Sequence, residues 1–461
     1  MDRPNIIFIF SDQQRYSSIG CNGNDIVRTP HLDSLADRGV AFDNAFSSCP
    51  ICAPYRGQIM TGKYSHANGC IDNEYQLFPD QQTLPGVLGN SGYSTAFVGK
   101  WHLGWGPYPP PKRLGFDYMA ANNCNHDHYA MDYFENEQGP FPIETWGPTG
   151  QTDTALRFIG NHMKSAGERP FCLVMSWSPP HWNRGYDDYP DQFNMYDPES
   201  VDLPPNVPRQ MAAFAREEIA HYYGNVTGLD HEMGRIMAFL KENDLEKDTI
   251  VCYSSDHGDH LSSHGYGKPF DMWLHHSKRA SKATPYEESI HIPFILRYPA
   301  KVSPRQRTQI MFSSVDVMPT LLGLAGVELP DGIQGTDLSH AVLGTDGPEP
   351  DSVYLQILGP GWPHRGDWVG FWRGVRTPRW VYARWFGSGK VRLYDRDADP
   401  YEMRNLAGNL QYADIQKQME RRLQQWIDET GDPFDTGERD PETGILMLGQ
   451  EFVDEYYTKV P

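Results

Sequence analysis

The stretch Asn5-Ile6-Ile7-Phe8-Ile9-Phe10-Ser11-Asp12-Gln13 joins an apolar run to a group of polar residues near the start of the chain. The run Ile6–Phe10 is typical of a strand that is buried on both faces. Polar residues that directly follow such a strand lie at the carboxyl edge of an open α/β sheet, where ligands bind. The stretch therefore predicts an α/β fold and a site that includes Asp12 and Gln13.

Similar apolar runs, each bounded by turn residues, recur along the first three quarters of the chain and are predicted to be buried parallel strands. These runs are Thr95–Val98, Phe171–Ser176, Thr249–Ser254 and Ile292–Leu296. Helical patterns lie between them, the clearest with apolar residues three and four apart from Ile219 to Leu240, and a second helix from about Val315 to Gly326. The alternation predicts a sheet with helices on both faces, in a large domain of residues 1–345.

The sequence changes character after about residue 345. Glycine and proline cluster at 344–350, and four short strand patterns follow, at Val353–Ile357, Gly370–Val375, Trp380–Trp385 and Val391–Tyr394. A final amphipathic helix carries Ile415 and Leu423 and ends at Gly431. We predict a smaller α+β domain over 346–461, in which one helix covers a short antiparallel sheet.

The composition excludes several classes of protein. The chain has 461 residues, 39% of them hydrophobic, which excludes intrinsic disorder, and no apolar run long enough to span a bilayer. The net charge of -20 argues against a nucleic-acid or anionic-lipid binder, so positive charge must be concentrated locally around any anionic substrate. The first residues lack the features of a signal peptide, so we expect a cytoplasmic protein or one whose leader has been removed. The seven cysteines imply no disulfide scaffold.

A second polar group, Ser255-Asp256-His257-Gly258, follows the strand pattern at Thr249–Ser254. Either Asp12 or Asp256 alone would be expected merely to cap a helix. Because both follow buried strands, and each precedes another potential ligand, we expect them to converge on one divalent metal ion.

A third group, Cys52-x-Pro54-x-Arg56 followed by Thr61-Gly62, resembles the signature of the formylglycine-dependent (type I) sulfatase family, in the alkaline-phosphatase-like superfamily. Further stretches are similar to this family along most of the chain. They are Gly99-Lys100-Trp101-His102-Leu103-Gly104, Ser178-Pro179-Pro180-His181, Tyr286-Glu287-Glu288-Ser289, Val315-Asp316, and Leu393-Tyr394-Asp395. The resemblance implies a large, mixed but mostly parallel sheet between helices, with a small C-terminal domain.

The resemblance also implies a mechanism. A formylglycine-generating or anaerobic maturation enzyme would oxidise Cys52, and one hydroxyl of the hydrated aldehyde would attack sulfur while the other drives the release of sulfate. The implied metal ligands are Asp12, Gln13, Asp256 and His257, together with the modified Cys52. The family usually has Asp in place of Gln13 and often Asn in place of His257. We expect Ca²⁺, although this donor set excludes Mn²⁺ or Zn²⁺ less strongly than four oxygens would.

The same resemblance gives roles to the basic residues. Arg56 would hold the formylglycine, and Lys100 would bind sulfate and the nucleophile. His102, two residues further on an extended segment and so on the same side, would take the diol proton. His181 would contact sulfate or protonate the leaving oxygen.

The last lysine of the implied site has two candidates. Lys282 fits the segment that follows it, whereas Lys268 fits the spacing from Asp256, and residues 269–281 look inserted between the two registers. We predict Lys282.

The predicted function is hydrolysis of a sulfate ester, on a sulfated saccharide. Polar and aromatic loops suited to sugar rings support the saccharide, at 122–129, 181–184 and 273–279. One alternative is a phosphonate or phosphate ester hydrolase of the same superfamily, which the Asp12-Gln13 pair favours and Lys100 with His102 disfavours. Another is an inactive glycan-binding homologue.

Overall fold

The computed structural model describes residues 3–78, 80–165, 167, 169–181, 189–265, 282–359, 371–439, 441 and 446–448. The strands among these residues are β1 (Asn5–Asp12), β2 (Val40–Phe46), β3 (Ser94–Lys100), β4 (Tyr118–Asn122), β5 (Met131–Glu135), β6 (Gln138–Ile143), β7 (Phe171–Pro180), β8 (Thr249–Ser255), β9 (Phe294–Arg297), β10 (Gln306–Ser313), β11 (Val353–Ile357), β12 (Trp372–Arg376), β13 (Trp380–Trp385) and β14 (Val391–Asp395). The α-helices are α1 (Pro30–Asp37), α2 (Cys52–Thr61), α3 (Ser65–Asn68), α4 (Leu84–Asn90), α5 (Gly147–Ser165), α6 (Ala212–Glu242), α7 (Glu287–Ile290), α8 (Val317–Ala325), α9 (Ser339–Leu343) and α10 (Ala413–Thr430).

Ten strands form one mixed sheet in the order β10-β2-β9-β8-β1-β7-β3-β4-β5-β6. The central strands β8, β1, β7, β3 and β4 are all parallel to their neighbours in this set. The prediction of a parallel strand at Ile292–Leu296 was wrong in direction, because β9 is antiparallel to both β2 and β8. An apolar run predicts burial and does not encode strand direction.

Strand β1 lies in the middle of the sheet and is buried along its whole length. Its alternate residues contact different layers: Phe8 belongs to one apolar cluster with residues of α2 and α8, and Ile7 to another with residues of α1 and α6. Such burial on both faces explains the continuous apolar run in the sequence. Truncating Phe8 to alanine would cost about 3–5 kcal/mol.

The predicted long helix is α6, whose residues Leu229, Met233, Ile236 and Leu240 are buried against the sheet. In the part of the chain that the structure describes, no helix combines the length and the apolar character needed to cross a membrane. All seven cysteines are described, and none forms a disulfide.

The second sheet contains β11, β12, β13 and β14 in sequence order, with every pair antiparallel. Helix α10 covers it with Met419, Leu423 and Ile427, and ends at Gly431, whose φ of 66° closes the helix. The smaller antiparallel sheet with one helix is therefore confirmed, as is the large mixed sheet. The boundary between residues 345 and 346 stays a prediction.

Candidate active site

Four neighbouring strands of the large sheet bring the predicted residues to one edge. Asp12 ends β1, Asp256 directly follows β8, Lys100 ends β3, and His181 directly follows β7. Because these strands are parallel, their carboxyl ends meet at the same edge. The parallel arrangement of the strands therefore brings together residues that are far apart in sequence.

Cys52 lies at the first residue of α2 and faces the two aspartates. Asp12, Cys52, Asp256 and His257 each place one donor atom within 4.8 Å of the others, and all four are buried. Cys52 Sγ is 3.3 Å from His257 Nε2 and 3.7 Å from Asp12 Oδ1. The His257 Nδ1 faces the Gly258 carbonyl at 2.9 Å, so Nδ1 donates and Nε2 is the atom directed at the cluster.

The two aspartates repel each other in this buried cluster. Burial, and then the charge of Asp12, raise the pKa of Asp256 to about 6. Burial also acts to raise the pKa of Asp12, but Lys100 and three other cationic groups outweigh it, so that this pKa lies well below its usual value. A divalent cation between the two carboxylates would relieve the repulsion.

Gln13 is held with its oxygen towards the cluster. Its Nε2 donates to Asp259 Oδ2 at 2.6 Å, and its Oε1 accepts from Lys282 Nζ at 3.3 Å. The Gln13 backbone has a φ of 71°, which is uncommon for a non-glycine residue, and its N–H donates to Asp256 Oδ1 at 2.8 Å. Sequence reasoning missed Asp259, although it lies only three residues after Asp256.

Lys282 also lies in this cluster. Its Nζ is 3.0 Å from Cys52 Sγ, 3.1 Å from His257 Nε2 and 3.3 Å from Gln13 Oε1. The ammonium group thus contacts three of the five predicted metal ligands. Lys268 lies outside the described residues, as does the stretch 269–281.

The surroundings of Cys52 favour an anion at Sγ. Burial and Asp12 act to raise the pKa of the thiol, but Lys100, Lys282 and His257 outweigh them and lower it to about 5. The position at the beginning of α2 acts in the same direction, because backbone N–H groups point out of a helix N-terminus. The Cys52 Sγ stands where a hydroxyl oxygen of a hydrated formylglycine would stand.

Arg56 contacts several groups of the site and is only 1% exposed. Its guanidinium donates to the Lys100 carbonyl and to Ser176 Oγ at 2.7 Å, and lies 3.3 Å from Asp12 and 3.5 Å from Asp256. Arg56 therefore joins α2 to three strand ends and is no surface guanidinium.

Lys100 donates to Asp12 Oδ2 at 2.5 Å, and neither side chain is exposed. Burial acts to lower the pKa of Lys100, but Asp12 outweighs it and the net shift is upwards. The preceding Gly99 has a φ of 114°, and a Cβ there would lie 2.1 Å from the Ser176 carbonyl. The close approach of β3 and β7 therefore requires glycine at this position.

His102 lies beyond the end of β3, with a φ of 56°. The argument that an extended segment puts Lys100 and His102 on one side was therefore wrong. His102 is nevertheless buried near the same charges: burial, Lys100 and Arg56 lower its pKa well below its usual value. Its Nδ1 has no hydrogen-bond partner among the described residues.

His181 stacks on His126, with ring centroids 3.6 Å apart and an angle of 11° between the planes. His126 Nε2 is 3.3 Å from Cys124 Sγ. Burial, and then His126, lower the pKa of His181 well below its usual value. Sequence reasoning included His126 only as part of a sugar-binding loop, and residues 182–188 after His181 lie outside the described residues.

The cluster fits a divalent cation. Two carboxylates, one amide oxygen and one imidazole nitrogen converge at a buried point beside Cys52. Burial acts to lower the pKa of His257, but Asp256 outweighs it and the net shift is upwards, so that a bound metal would have to displace a proton. Carboxylate and amide oxygens suit Ca²⁺, and the imidazole also suits Mn²⁺ or Zn²⁺.

Comparisons with known proteins identify the family of this chain. Residues 4–327 match the family model described as Sulfatase, and residues 277–429 match one described as N-sulphoglucosamine sulphohydrolase, C-terminal. An ulvan-active sulfatase of Formosa agariphila is 34% identical over 442 residues, which cover 94% of this chain and 82% of that protein.

Two solved structures share the fold over nearly the whole chain. A Bacteroides fragilis protein assigned as a sulfatase has a TM-score of 0.82 and 32% identity, covering 94% of this chain and 97% of its own. A structure in complex with its substrate, D-glucosamine-2-N,6-O-disulfate, has a TM-score of 0.79 and 25% identity, covering 94% and 100%. The family prediction made from the residues around Cys52 is confirmed: this chain belongs to the sulfatase family and is a sulfuric ester hydrolase.

Proposed function

We propose that this chain hydrolyses a sulfate ester on a sulfated saccharide, using a nucleophile made from Cys52 and one divalent cation. The proposal rests on the groups around Cys52 Sγ: Lys282 Nζ lies 3.0 Å from it and His257 Nε2 lies 3.3 Å from it. Sulfate esters resist hydrolysis because their oxygens repel nucleophiles. Positive charge concentrated beside the attacking atom offsets this repulsion.

The proposal of a saccharide substrate is supported by the similar proteins and by one loop of this chain. The similar proteins include an ulvan-active sulfatase and a structure that holds a disulfated glucosamine. The loop at 122–129 contacts the site through His126, which stacks on His181, and exposes 44% of Tyr129. An exposed aromatic ring next to a buried polar group suits a sugar, which has both apolar faces and hydroxyls.

Two groups that the chain must acquire would complete the site. Cys52, once converted to formylglycine, would supply a hydrated aldehyde with two hydroxyls, one for attack and one for release of sulfate. A cation held by Asp12, Gln13, Asp256 and His257, together with the modified Cys52, would lower the pKa of that nucleophile and neutralise charge on the sulfate; we propose Ca²⁺ first, then Mn²⁺ or Zn²⁺.

The maturation enzyme would have to act before the chain folds. Cys52, Pro54 and Arg56, the residues of the modification signature, are all buried in α2. We therefore propose a formylglycine-generating or anaerobic maturation enzyme as a partner of the unfolded chain.

The basic residues divide the remaining work. Lys282 would bind a sulfate oxygen and the nucleophile, which its contact with Cys52 Sγ supports. Lys100 would bind the same groups from the side of Asp12. Arg56 would hold the modified residue and keep both aspartates ionised, as its contacts with them support.

The two histidines would act as neutral rings. A neutral His102 can accept the proton of the diol, and its lowered pKa favours that form. The lowered pKa of His181 favours the first of its two predicted roles, contact with sulfate, over protonation of the leaving oxygen by an imidazolium.

The experiment measures the release of inorganic sulfate from a panel of sulfated saccharides, including ulvan and glucosamine sulfates. The full chain is produced in a host that has a maturation enzyme, stripped of metal, and assayed with added Ca²⁺, Mn²⁺ or Zn²⁺. We expect metal-dependent release from at least one saccharide, and none from Cys52→Ala. Equal release by that variant, or none by the modified wild type on the whole panel, would contradict the proposal.

The second candidate is a phosphonate or phosphate ester hydrolase of the same superfamily. One observation favours it: Gln13 lies among the ligands where the sulfatase pattern has Asp. The buried pair of Lys100 and Asp12, and His102 beside it, favour the sulfatase.

A further inference from the structure

A second cluster of donor atoms lies away from the candidate active site. His264 is in a short turn after β8, Glu288 is in α7, and Glu402 follows β14 in the C-terminal part of the chain. One donor atom of each lies within 4.8 Å of the other two. Glu402 is 2% exposed, and the side chains of His264 and Glu288 are 10% and 12% exposed. The cluster is therefore largely shielded from solvent. It connects parts of the chain that are far apart in sequence.

Each carboxylate in this cluster is fixed by one hydrogen bond on one oxygen. Asn206 Nδ2 donates to Glu288 Oε1 at 2.6 Å, and the Glu287 N–H donates to Glu402 Oε2 at 2.9 Å. Glu402 Oε1 is buried and has no hydrogen-bond partner among the described residues, whereas Glu288 Oε2 faces His264 Nε2 at 3.4 Å. A carboxylate that is hydrogen-bonded on one oxygen and free on the other is arranged as metal ligands are.

The histidine is oriented in the same way. Its ring stacks on Tyr286, with centroids 3.8 Å apart and 19° between the planes. Its Nε2 is 3.4 Å from Glu288 Oε2. The same nitrogen is 3.2 Å from Asn206 Nδ2, so the ring is held by packing with its Nε2 directed at both Asn206 and Glu288.

The nearby arginines form their ion pairs with Glu287 rather than with these two acids. Arg376 Nε lies 2.6 Å from Glu287 Oε1, and Arg396 Nη2 lies 3.4 Å from Glu287 Oε2. Among the described residues, neither Glu288 nor Glu402 has a lysine or arginine within ion-pair distance. Two buried carboxylates facing one imidazole require either a bound proton or a bound cation, since an unpaired buried charge is costly.

We propose that His264, Glu288 and Glu402 bind a divalent transition metal ion, Zn²⁺ or Mn²⁺, at a site separate from that of Asp12 and Asp256. One imidazole nitrogen and two carboxylate oxygens suit these ions, whereas Ca²⁺ prefers an all-oxygen set. Water would complete the coordination from the exposed side of the cluster.

The ion would fix the turn behind the active site. Gly258, next to His257, donates its N–H to the Ser289 carbonyl at 2.9 Å. A Cβ at Gly258 would lie 2.0 Å from the Glu288 carbonyl oxygen, so α7 packs directly on this turn. An ion that ties Glu288 to Glu402 would therefore connect the C-terminal part of the chain to the segment carrying Asp256 and His257.

The test is the metal content of the full chain. The purified protein is stripped with a chelator, dialysed against Zn²⁺ or Mn²⁺ and then against metal-free buffer, and analysed by mass spectrometry for metal per chain. Wild type is expected to retain one equivalent more than Glu402→Gln: two against one where the candidate active site also holds the added ion, and one against none where that site takes only Ca²⁺. Glu429→Gln, a control with the same chemical change in an exposed residue of α10, is expected to retain as much metal as wild type.

A second variant shows which equivalent is lost. Asp12→Asn should lose the equivalent at the candidate active site and retain the other, whatever its effect on sulfate release. Anomalous diffraction from zinc-loaded wild-type crystals should give a peak between His264, Glu288 and Glu402, and this does not depend on how any variant folds. Equal metal content in wild type and Glu402→Gln with both metals, or no peak at this position, would overturn the proposal.

Discussion

Lys282 Nζ lies 3.0 Å from Cys52 Sγ, although 230 residues of chain separate them. This contact provides a test of the prediction that Lys282 is the last lysine of the site. Lys282→Ala should lower kcat/KM by about 10²–10³-fold, because it removes a charge that contacts the nucleophile and the sulfate.

The matched control for this variant is Lys268→Ala, the other lysine that sequence spacing allows. We expect that variant to retain sulfate release within a few-fold of wild type. Both variants are assayed on the same sulfated saccharide under saturating metal. A larger loss in Lys268→Ala than in Lys282→Ala would reverse the assignment.

The modification of Cys52 gives a second prediction. Mass spectrometry of the peptide containing Cys52, from a host with a maturation enzyme, should find formylglycine. Cys52→Ser should release at most one equivalent of the desulfated alcohol per enzyme molecule and no inorganic sulfate, because the serine sulfate ester has no second hydroxyl to expel sulfate. An unmodified thiol would favour the inactive glycan-binding homologue, and multiple turnovers by the serine variant would exclude the diol mechanism.

The pair Gln13 and Asp259 gives a prediction about the metal. Gln13→Asp alone would place a carboxylate next to the Asp259 carboxylate, which Gln13 Nε2 now contacts at 2.6 Å. We expect this variant to bind metal weakly, and Gln13→Asp with Asp259→Asn to recover binding with a preference shifted from Mn²⁺ towards Ca²⁺. Calorimetric titration of the four proteins of this cycle measures the coupling. Additive effects of the two substitutions would contradict the prediction.

The pH dependence tests the role of His102. A base works only when unprotonated, and burial with Lys100 and Arg56 lowers the pKa of His102 well below 6.5. The neutral form therefore persists as the pH falls through 6.5 and is lost only below it. With saturating metal, we expect kcat/KM, which reports the free enzyme, to show no loss that His102 causes from neutral pH down through 6.5. An acidic limb centred at or above 6.5 that disappears in His102→Asn would show that the ring is protonated earlier.

Arg56 is predicted to matter for stability as well as for activity. Arg56→Met would remove the buried cation that Asp12 and Asp256 share and leave Asp12 with Lys100 alone, which should lower the free energy of unfolding by about 3–5 kcal/mol. The control is Arg157→Met, since Arg157 pairs with Glu135 at 3.1 Å on the exposed surface and should cost about 1 kcal/mol or less. Denaturant unfolding of both variants without added metal measures the difference. Equal losses would mean that the buried network contributes little.

The sequence predicted four of the five central parallel strands, β1, β3, β7 and β8, because continuous apolar runs mark strands that are buried on both faces. The fifth, β4, was not predicted although it is largely buried. Ile6–Phe10 and Thr249–Ser254 are continuous apolar runs, and they became β1 and β8. The strands at the sheet margins were missed because their exposure breaks the pattern: β6 is largely exposed, and β10 alternates only at its start. The direction of β9 depends on the path of the chain between strands, which apolar pattern does not contain.

For the site, the sequence indicated which residues follow strands and could not give their orientation. Asp12 and Asp256 converge because parallel strands end together, which a sequence can predict. The partners of these residues could not be predicted. Gln13 depends on Asp259, and His181 on His126, through contacts that only the folded chain produces.

The central claim, that this site hydrolyses sulfate esters, is tested most directly by a pair of matched substrates. The metal-loaded protein with modified Cys52 is given the sulfate ester and the methylphosphonate ester of the same alcohol, and the rates of release are compared. The account predicts much faster release from the sulfate ester, with both rates abolished in Cys52→Ala. Faster release from the methylphosphonate ester would contradict it and would make the phosphonate hydrolase the better description.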